Sequence, residues 1–548
     1  MKKERYSSLI ALLLVVGLSN AQEQSRDADL IVVRGTILDD ASDKPIAARV
    51  HLQGDDGEWH LVNSVGGSAV HYERNRQHLP NSPEVHTTLS AHPFSVKLKP
   101  GKYTIRVERG KEYHSLVKEL DVSTATAPLE FRLRRWINMA SRSWYSGDTH
   151  VHRQLGELAN IMVAEDLNVT FPLSYWVTTS DTPPSRGDRT NDTNLSADLI
   201  LVDRTHVIHP VNTEYEIFSV GARRHTLGAV FVLNHKTPFP MGAPPVAPIA
   251  RMARQENALL EFDKHSWPWS MMIVPIMKVD LFELLNNHLW QTNFGFRDWT
   301  VEAIPDYMNI ERTADGVGMT EWGWTDFGLK TYYALVNAGF RMRITAGTAS
   351  GVHPVQLGFN RVYVHLPNGF DYEDWIAGLN AGQSFVTNGP MLEATFNSKQ
   401  PGHEFKQASA DTFRMQIDGR IASKRPLRKI EVVINGDTSR IIKPQNKRTE
   451  TGSFETILND ELKLDASAWV AIRCFEDHPD KRIRFAHTNP VYVEIAGRPH
   501  RPKKVEVQYF LDRIDEELER NRSILSSTAL REYELARSIY QDLMQKAD

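Results

Sequence analysis

The chain has 548 residues, with 64 lysines and arginines against 68 aspartates and glutamates, and a formal charge of −4. That near balance, with no basic block, gives no electrostatic footprint for nucleic acid or an anionic membrane surface. A single cysteine, Cys474, excludes any intrachain disulfide, so stability must come from large apolar cores, and the length suffices for roughly three or four domains.

In chain order, residues 1–21 come first. Lys2, Lys3 and Arg5 precede an apolar run at 9–18, and Ser19-Asn20-Ala21 supplies small residues for a signal peptidase. The run is too short to span a bilayer, so the segment reads as a signal peptide cleaved after Ala21, with a secreted or periplasmic destination. Removing it takes away three bases and one acid and moves the formal charge from −4 to −6. No later stretch holds the ~18 uninterrupted apolar residues of a membrane helix.

Residues 30–135 alternate polar and apolar side chains with turn signals such as Lys99-Pro100-Gly101, the pattern of a β-sandwich, with 66–88 as a long polar loop. Residues 136–395 mix short apolar runs (230–233, 272–276, 340–345) with helix-like stretches at 332–338 and 371–380. That alternation predicts an α/β domain with a mostly parallel sheet or barrel, whose chemistry sits at the C-terminal strand ends. Residues 396–497 return to strand alternation, with Asn435-Gly436 as a hairpin turn, and predict a second sandwich. From 498 to 548 the apolar period becomes helical and predicts a helical hairpin.

The chemistry-bearing stretch is Trp144-Tyr-Ser-Gly-Asp-Thr-His-Val-His152. Two histidines at i and i+2 project from one face of a strand, so both imidazoles can reach one point, and imidazole is the commonest ligand for divalent transition metals. Further acids and imidazoles recur along the domain. Glu165-Asp166 precedes Phe171-Pro-Leu-Ser-Tyr-Trp; Glu214 and Glu216 share a face of an expected strand at 205–217; His225 precedes 228–233; His265 precedes Trp267-Pro-Trp. Asp280, Glu283, Asn286, Asn287 and His288 fall in one segment, and His353 follows the turn Gly347-Thr-Ala-Ser-Gly351. A multinuclear hydrolytic site needs such recurrence. His206, His209 and His235 read as surface or core residues.

The order of Gly-Asp-Thr-His-Val-His, a central Glu, a later His, Asn286-Asn287-His288 and a Gly-Thr turn resembles the PHP metallohydrolases, most closely their exported CehA/McbA-type branch, over about residues 140–395. The 30–135 stretch, with its Pro-Gly-x-Tyr hairpin, resembles the carboxypeptidase regulatory-like sandwiches. The PHP resemblance implies a distorted (β/α)7-like barrel holding one to three divalent ions (zinc, manganese or iron). It also implies a ligand set of His150, His152, Asp166, Glu216, His225, His265 and His353, with Glu216, Asp166 and His353 as catalytic. Glu165 competes with Asp166, and Glu214 with Glu216. Glu165, Glu214, Asp280, Glu283, Asn287 and His288 are candidates for support behind the ligands. The chain departs from the family at Gly347-Thr348-Ala349, which has no carboxylate, at Arg224 in place of a glycine, and at Ser266 in place of a proline.

These readings imply an exported metal-dependent hydrolase that acts on a small-molecule or carbohydrate-linked substrate. Trp176, Trp267, Trp269, Trp290, Trp322 and Trp324 favour an aromatic pocket for an ester, amide or carbamate. Arg223, Arg224, Lys236, Arg341 and Arg343 are the groups a phosphoesterase would use. A non-catalytic periplasmic binding protein with a decayed metal site is the third alternative.

Overall fold

The computed structural model describes residues 30–74, 84–123, 127–187, 195–292, 294 and 304–548; the signal-peptide reading of 1–21 lies outside them. The chain divides into two compact units. One runs to Glu73 and adds Val85–Arg109 and Tyr113–Arg135; the other is chiefly Trp136–Asp548. Among the described residues no helix is long and apolar enough to cross a membrane.

The first unit is all strand. Ile31–Asp39 pairs in parallel with Leu129–Leu133 and antiparallel with Phe94–Leu98. Ala48–Gly54 lies beside Gly101–Glu108. Alternate residues such as Val50, Leu52, Phe94, Ile105 and Phe131 are buried in one core. The stretch expected as a polar loop carries strands at Ala69–Arg74 and Glu84–Leu89, the latter paired with Ala48–Gly54. Its polar Thr87 and Thr88 are buried, and Thr87 Oγ1 accepts from Val62 N–H, so hydroxyls stand where a hydropathy pattern looks for apolar residues.

The second unit is a mixed α/β assembly. The strand Trp144–Val151 lies between Val169–Pro172, parallel, and Arg361–His365, antiparallel. A second sheet runs through Tyr175–Thr179, Thr213–Val220, Ala229–Leu233, Leu259–Phe262, Leu281–Leu285 and Arg343–Ala346. Its pairings are mixed: three of the five are parallel, while Ala229–Leu233 runs antiparallel to both Thr213–Val220 and Leu259–Phe262. The expected strand at 205–217 is split into Val207–Ile208 and Thr213–Val220, since Pro210 has no N–H for a ladder. Val151 of the first sheet also bridges Ser350, which lies four residues beyond Arg343–Ala346 of the second.

Residues 272–276, with their β-branched side chains, look like a strand but form the helix Ser270–Met277, which contains Pro275. A proline there cannot donate to the carbonyl of residue 271. The Tyr540 hydroxyl donates to that Met271 carbonyl instead, at 2.7 Å. Tyr540 belongs to the second of two C-terminal helices, Lys504–Asn521 and Ser527–Met544. The longest helix of the middle region, Glu321–Asn337, starts from a Thr320 cap whose hydroxyl accepts from Gly323 N–H at 2.9 Å. It runs well beyond the expected 332–338.

No break falls at 395/396. Arg361–His365 and Ser384–Thr387 continue, through Phe385↔Thr488, into the strands Phe485–Thr488 and Ala468–Glu476. One core joins Trp144, Tyr363 and Phe385 to Leu392, Ile417 and Val470. The α/β region and the second β region therefore share a sheet and a core. At the Asn435-Gly436 turn both residues have positive φ, 50° and 90°, as a two-residue hairpin of the I′ type requires.

Candidate metal centre

His150 is the penultimate residue of the buried strand Trp144–Val151, and His152 follows it. Their Nε2 atoms lie 3.3 Å apart, and His152 Nε2 is 3.2 Å from Glu214 Oε2. On the other side of the His150 ring, Nδ1 is 3.0 Å from Glu283 Oε2. The ligand-type atoms of His150, His152 and Glu214 lie within 4.8 Å of one another, and so do those of His150, Asp263 and Glu283. His150 is shared between the two groups. With Glu283 ionised and accepting from Nδ1–H, the Nε2 lone pair faces His152 and Glu214, the carboxylate–histidine arrangement that supports a metal ligand.

Neighbouring backbone enforces this geometry. Asp148 is buried and accepts from His150 N–H (3.1 Å), Thr348 N–H and hydroxyl (3.2 and 2.6 Å) and Gly358 N–H (2.9 Å). It thus ties the 347–349 turn to the histidine strand. A Cβ on Gly347 would lie 2.3 Å from His150 Cβ and 2.7 Å from Glu283 Oε1, so only glycine lets the turn approach. Glu261 takes the hydroxyls of Thr149 (2.8 Å) and Thr345 and braces the strand from below.

The electrostatics are those of a crowded acid pocket. Burial pushes the Glu214 and Glu216 carboxyls up to about 8 and Glu283 well above its ordinary value, while it holds His150 well below the usual imidazole range. Glu261 is also raised by burial, to about 8, and Asp148 to about 7. Among the described residues one cation faces them: Lys264 lies against Asp263 and 3.8 Å from Glu216 Oε1. Burial works against its charge, but Asp263, Glu216, Glu214 and Glu283 outweigh that and raise its affinity for a proton. Asp263 Oδ1 and Glu283 Oε1 are buried with no hydrogen-bond partner among the described residues. Two imidazoles, three carboxylates and orphaned carboxylate oxygens fit a divalent ion. His152 and Glu216, with side chains 10% and 11% exposed, mark the open side.

The remaining residues named from the sequence fall elsewhere or at the margin. Asp166 and Glu165 follow the helix Leu155–Ala164, before rather than after the strand Val169–Pro172, and their carbonyls accept from Arg361. His225 is held by Asn521 Oδ1 at 2.7 Å, with Arg520 on its other nitrogen. His265 packs among Trp324, Phe327 and Phe282, and burial lowers it to about 3. Asp280 precedes Leu281–Leu285 and pairs with Arg254 and Leu260 N–H. Asp166, His225, His265 and Asp280 belong to neither of the two convergent groups. The reason is shared: each was placed by chain order, and each has a partner or an aromatic shell that order alone does not show.

His353 is buried beside Trp290, ring centroids 5.7 Å apart. His288 is 3.1 Å from Asn286 Oδ1 and lies 4.4 Å from the Trp324 ring centroid. Asn287 is buried next to it. Asp263 and Lys264 were not singled out in the sequence. The available signal was an acid and a lysine directly after the apolar run 258–262, at a strand end.

Of the six tryptophans named from the sequence, Trp176 lies against His152 (5.5 Å between centroids), Trp290 against His353, and Trp324 against His265 and His288. Trp269 is in the core, Trp322 meets Phe475, and Trp267 meets Phe218. Arg223, Arg224 and Lys236 are exposed, Arg341 pairs with Glu404 and Glu494, and Arg343 faces Asp280.

Neither a known family profile nor a curated protein matches the sequence. Among solved structures, a two-domain protein from Bacteroides vulgatus ATCC 8482, described as containing a predicted PHP-like metal-dependent phosphoesterase, is similar at 9% identity and a TM-score of 0.29. The alignment covers 62% of this chain and 94% of that one.

Proposed function

We propose that the second unit is a metal-dependent hydrolase of PHP type, of the exported CehA/McbA-like kind, acting on an ester, amide or carbamate bond. One observation carries the reading: His150, His152 and Glu214 converge on one point, with Glu283 behind His150. A divalent ion held there would supply a nucleophilic water at neutral pH and polarise the scissile group. Glu283 fixes the tautomer and ring plane of His150. Glu216, on the open side, is placed to take a proton from the attacking water, and Trp176 offers an aromatic wall beside His152.

The preference for a carbon-centred substrate rests on the surroundings. Aromatic rings approach His152, His288 and His353, whereas the five basic residues that a phosphate pocket would recruit are exposed or paired with other acids. The test is metal analysis of the purified protein, followed by turnover of aryl carboxylate, carbamate and phosphate esters in wild type and Glu216→Gln. Metal-dependent cleavage of a carboxylate or carbamate ester that collapses in Glu216→Gln is expected. A protein without metal and without turnover would sink the reading, and a preference for phosphate esters would overturn its substrate class.

A further inference from the structure

The acid pocket holds more carboxyl groups than one metal site needs. Beyond Glu214, with its two histidines, it contains Asp263, Glu283 and Glu216, all buried. Asp263 and Glu283 form a second candidate group only by borrowing His150. A neutral imidazole has one lone pair; if Nε2 is spent on the first site, Nδ1 carries a proton and cannot ligate a second ion. The Gly347-Thr348-Ala349 turn adds no carboxylate.

What this second group has instead is Lys264. Its side chain is 6% exposed; its ammonium contacts Asp263 and stands 3.8 Å from Glu216 Oε1. The adjacent Trp267 ring, 5.8 Å from Nζ, helps to shield it from water. Buried carboxylates must be paired or coordinate a metal. Here the chain supplies a fixed cation in the space between Asp263 and Glu216.

We propose that Lys264 takes the place of a second metal ion, so that the centre holds a single divalent ion at His150, His152 and Glu214. The lysine is a positioning residue: it neutralises Asp263 and orients Glu216 toward the open side. The proposal rests on the metal-hydrolase reading but makes a separate claim, about stoichiometry.

The test uses the full chain stripped with chelator, reloaded with Mn(II) alone, desalted, and read by elemental analysis and electron paramagnetic resonance. Wild type is expected to hold one equivalent with the spectrum of an isolated Mn(II). Lys264→Gln, with the ammonium removed, is expected to take up a second equivalent and show spin coupling, while Lys264→Arg returns to one. Two equivalents in wild type or in Lys264→Arg would overturn the proposal, as would one equivalent in a folded Lys264→Gln. If Lys264→Gln does not fold, the wild-type and Lys264→Arg stoichiometries still decide. No bound metal in wild type would overturn the hydrolase reading itself.

Discussion

Two buried histidine environments in the second unit behave as opposites. Around His150 and His152 the partners are carboxylates: Glu214 at 3.2 Å, Glu283 at 3.0 Å, with Asp263 and Glu216 beyond. Around His265 they are rings, from Trp324, Phe327 and Phe282, and both ring nitrogens lack a hydrogen-bond partner among the described residues. Both environments are buried and both depress the imidazole pKa, chiefly by desolvation. Histidine burial therefore does not mark a metal centre; acidic neighbours aimed at the same point do.

The sharpest way to break this contrast is to delete each histidine set in turn. The His150→Ala/His152→Ala variant is expected to lose essentially all bound divalent metal and turnover while keeping its far-ultraviolet circular dichroism. His265→Phe should retain metal content. Metal loss from His265→Phe equal to that from the double variant would erase the distinction.

Next in size is Glu283→Gln. It removes the carboxylate behind His150 and is expected to weaken metal binding about 10–100-fold, the usual range for such support. Isothermal titration with Zn(II) reads it, and an unchanged affinity would mean that Glu283 does not orient the ring.

A pH titration sharpens the comparison further. Glu214 and Glu216 are raised to about 8 in the metal-free protein, above the ordinary 4.5 of an unfolded chain. The folded state therefore holds protons that the unfolded state gives up. Their contribution to stability is full below about 4.5 and is lost as pH rises through about 8. Metal binding displaces those protons, so affinity should rise over the same window and loaded protein should lose less stability. Melting temperatures of stripped and loaded protein from pH 5 to 9 test this; identical slopes would contradict it.

The smallest functional effect is expected at Cys474. The thiol is fully buried in the strand Ala468–Glu476, and burial pushes its pKa up, away from any nucleophilic role. Cys474→Ser should cost about 1–3 kcal/mol of stability, through a buried hydroxyl lacking a partner, and leave turnover nearly unchanged. A dead but folded variant would point to thiol chemistry.

How much of this was legible in the sequence differs by scale. The i, i+2 spacing of His150 and His152 and the shared face of Glu214 and Glu216 are short-range facts, and period-2 geometry carries them into three dimensions. Mixed α/β character was also visible, in the change of period along the chain. Sheet direction was not: whether Thr213–Val220 and Ala229–Leu233 run parallel depends on a short connection at 221–228, not on hydropathy. Nor could sequence order tell Glu214 from Glu216 as the closer partner of His152, which rotation of the strand against its neighbours decides. His225 was claimed by Asn521, a residue 296 positions away. Asp263 and Lys264 escaped notice because an acid–lysine pair after a strand usually reads as a solvated turn.

The hydroxyl of Tyr540 on the Met271 carbonyl has a bearing on what the acid pocket depends on. The helix Ser270–Met277 sits directly after the Asp263–Lys264 strand end and has a proline where its own backbone bond would form. The group that completes it belongs to the helix Ser527–Met544, and Asn521 clasps His225 from the same hairpin. The segment beside the acid pocket therefore depends on residues 527–544 for the donor that satisfies this carbonyl. A chain ending before residue 527 would leave the buried Met271 carbonyl without this donor, so the last helix is part of the acid pocket's support.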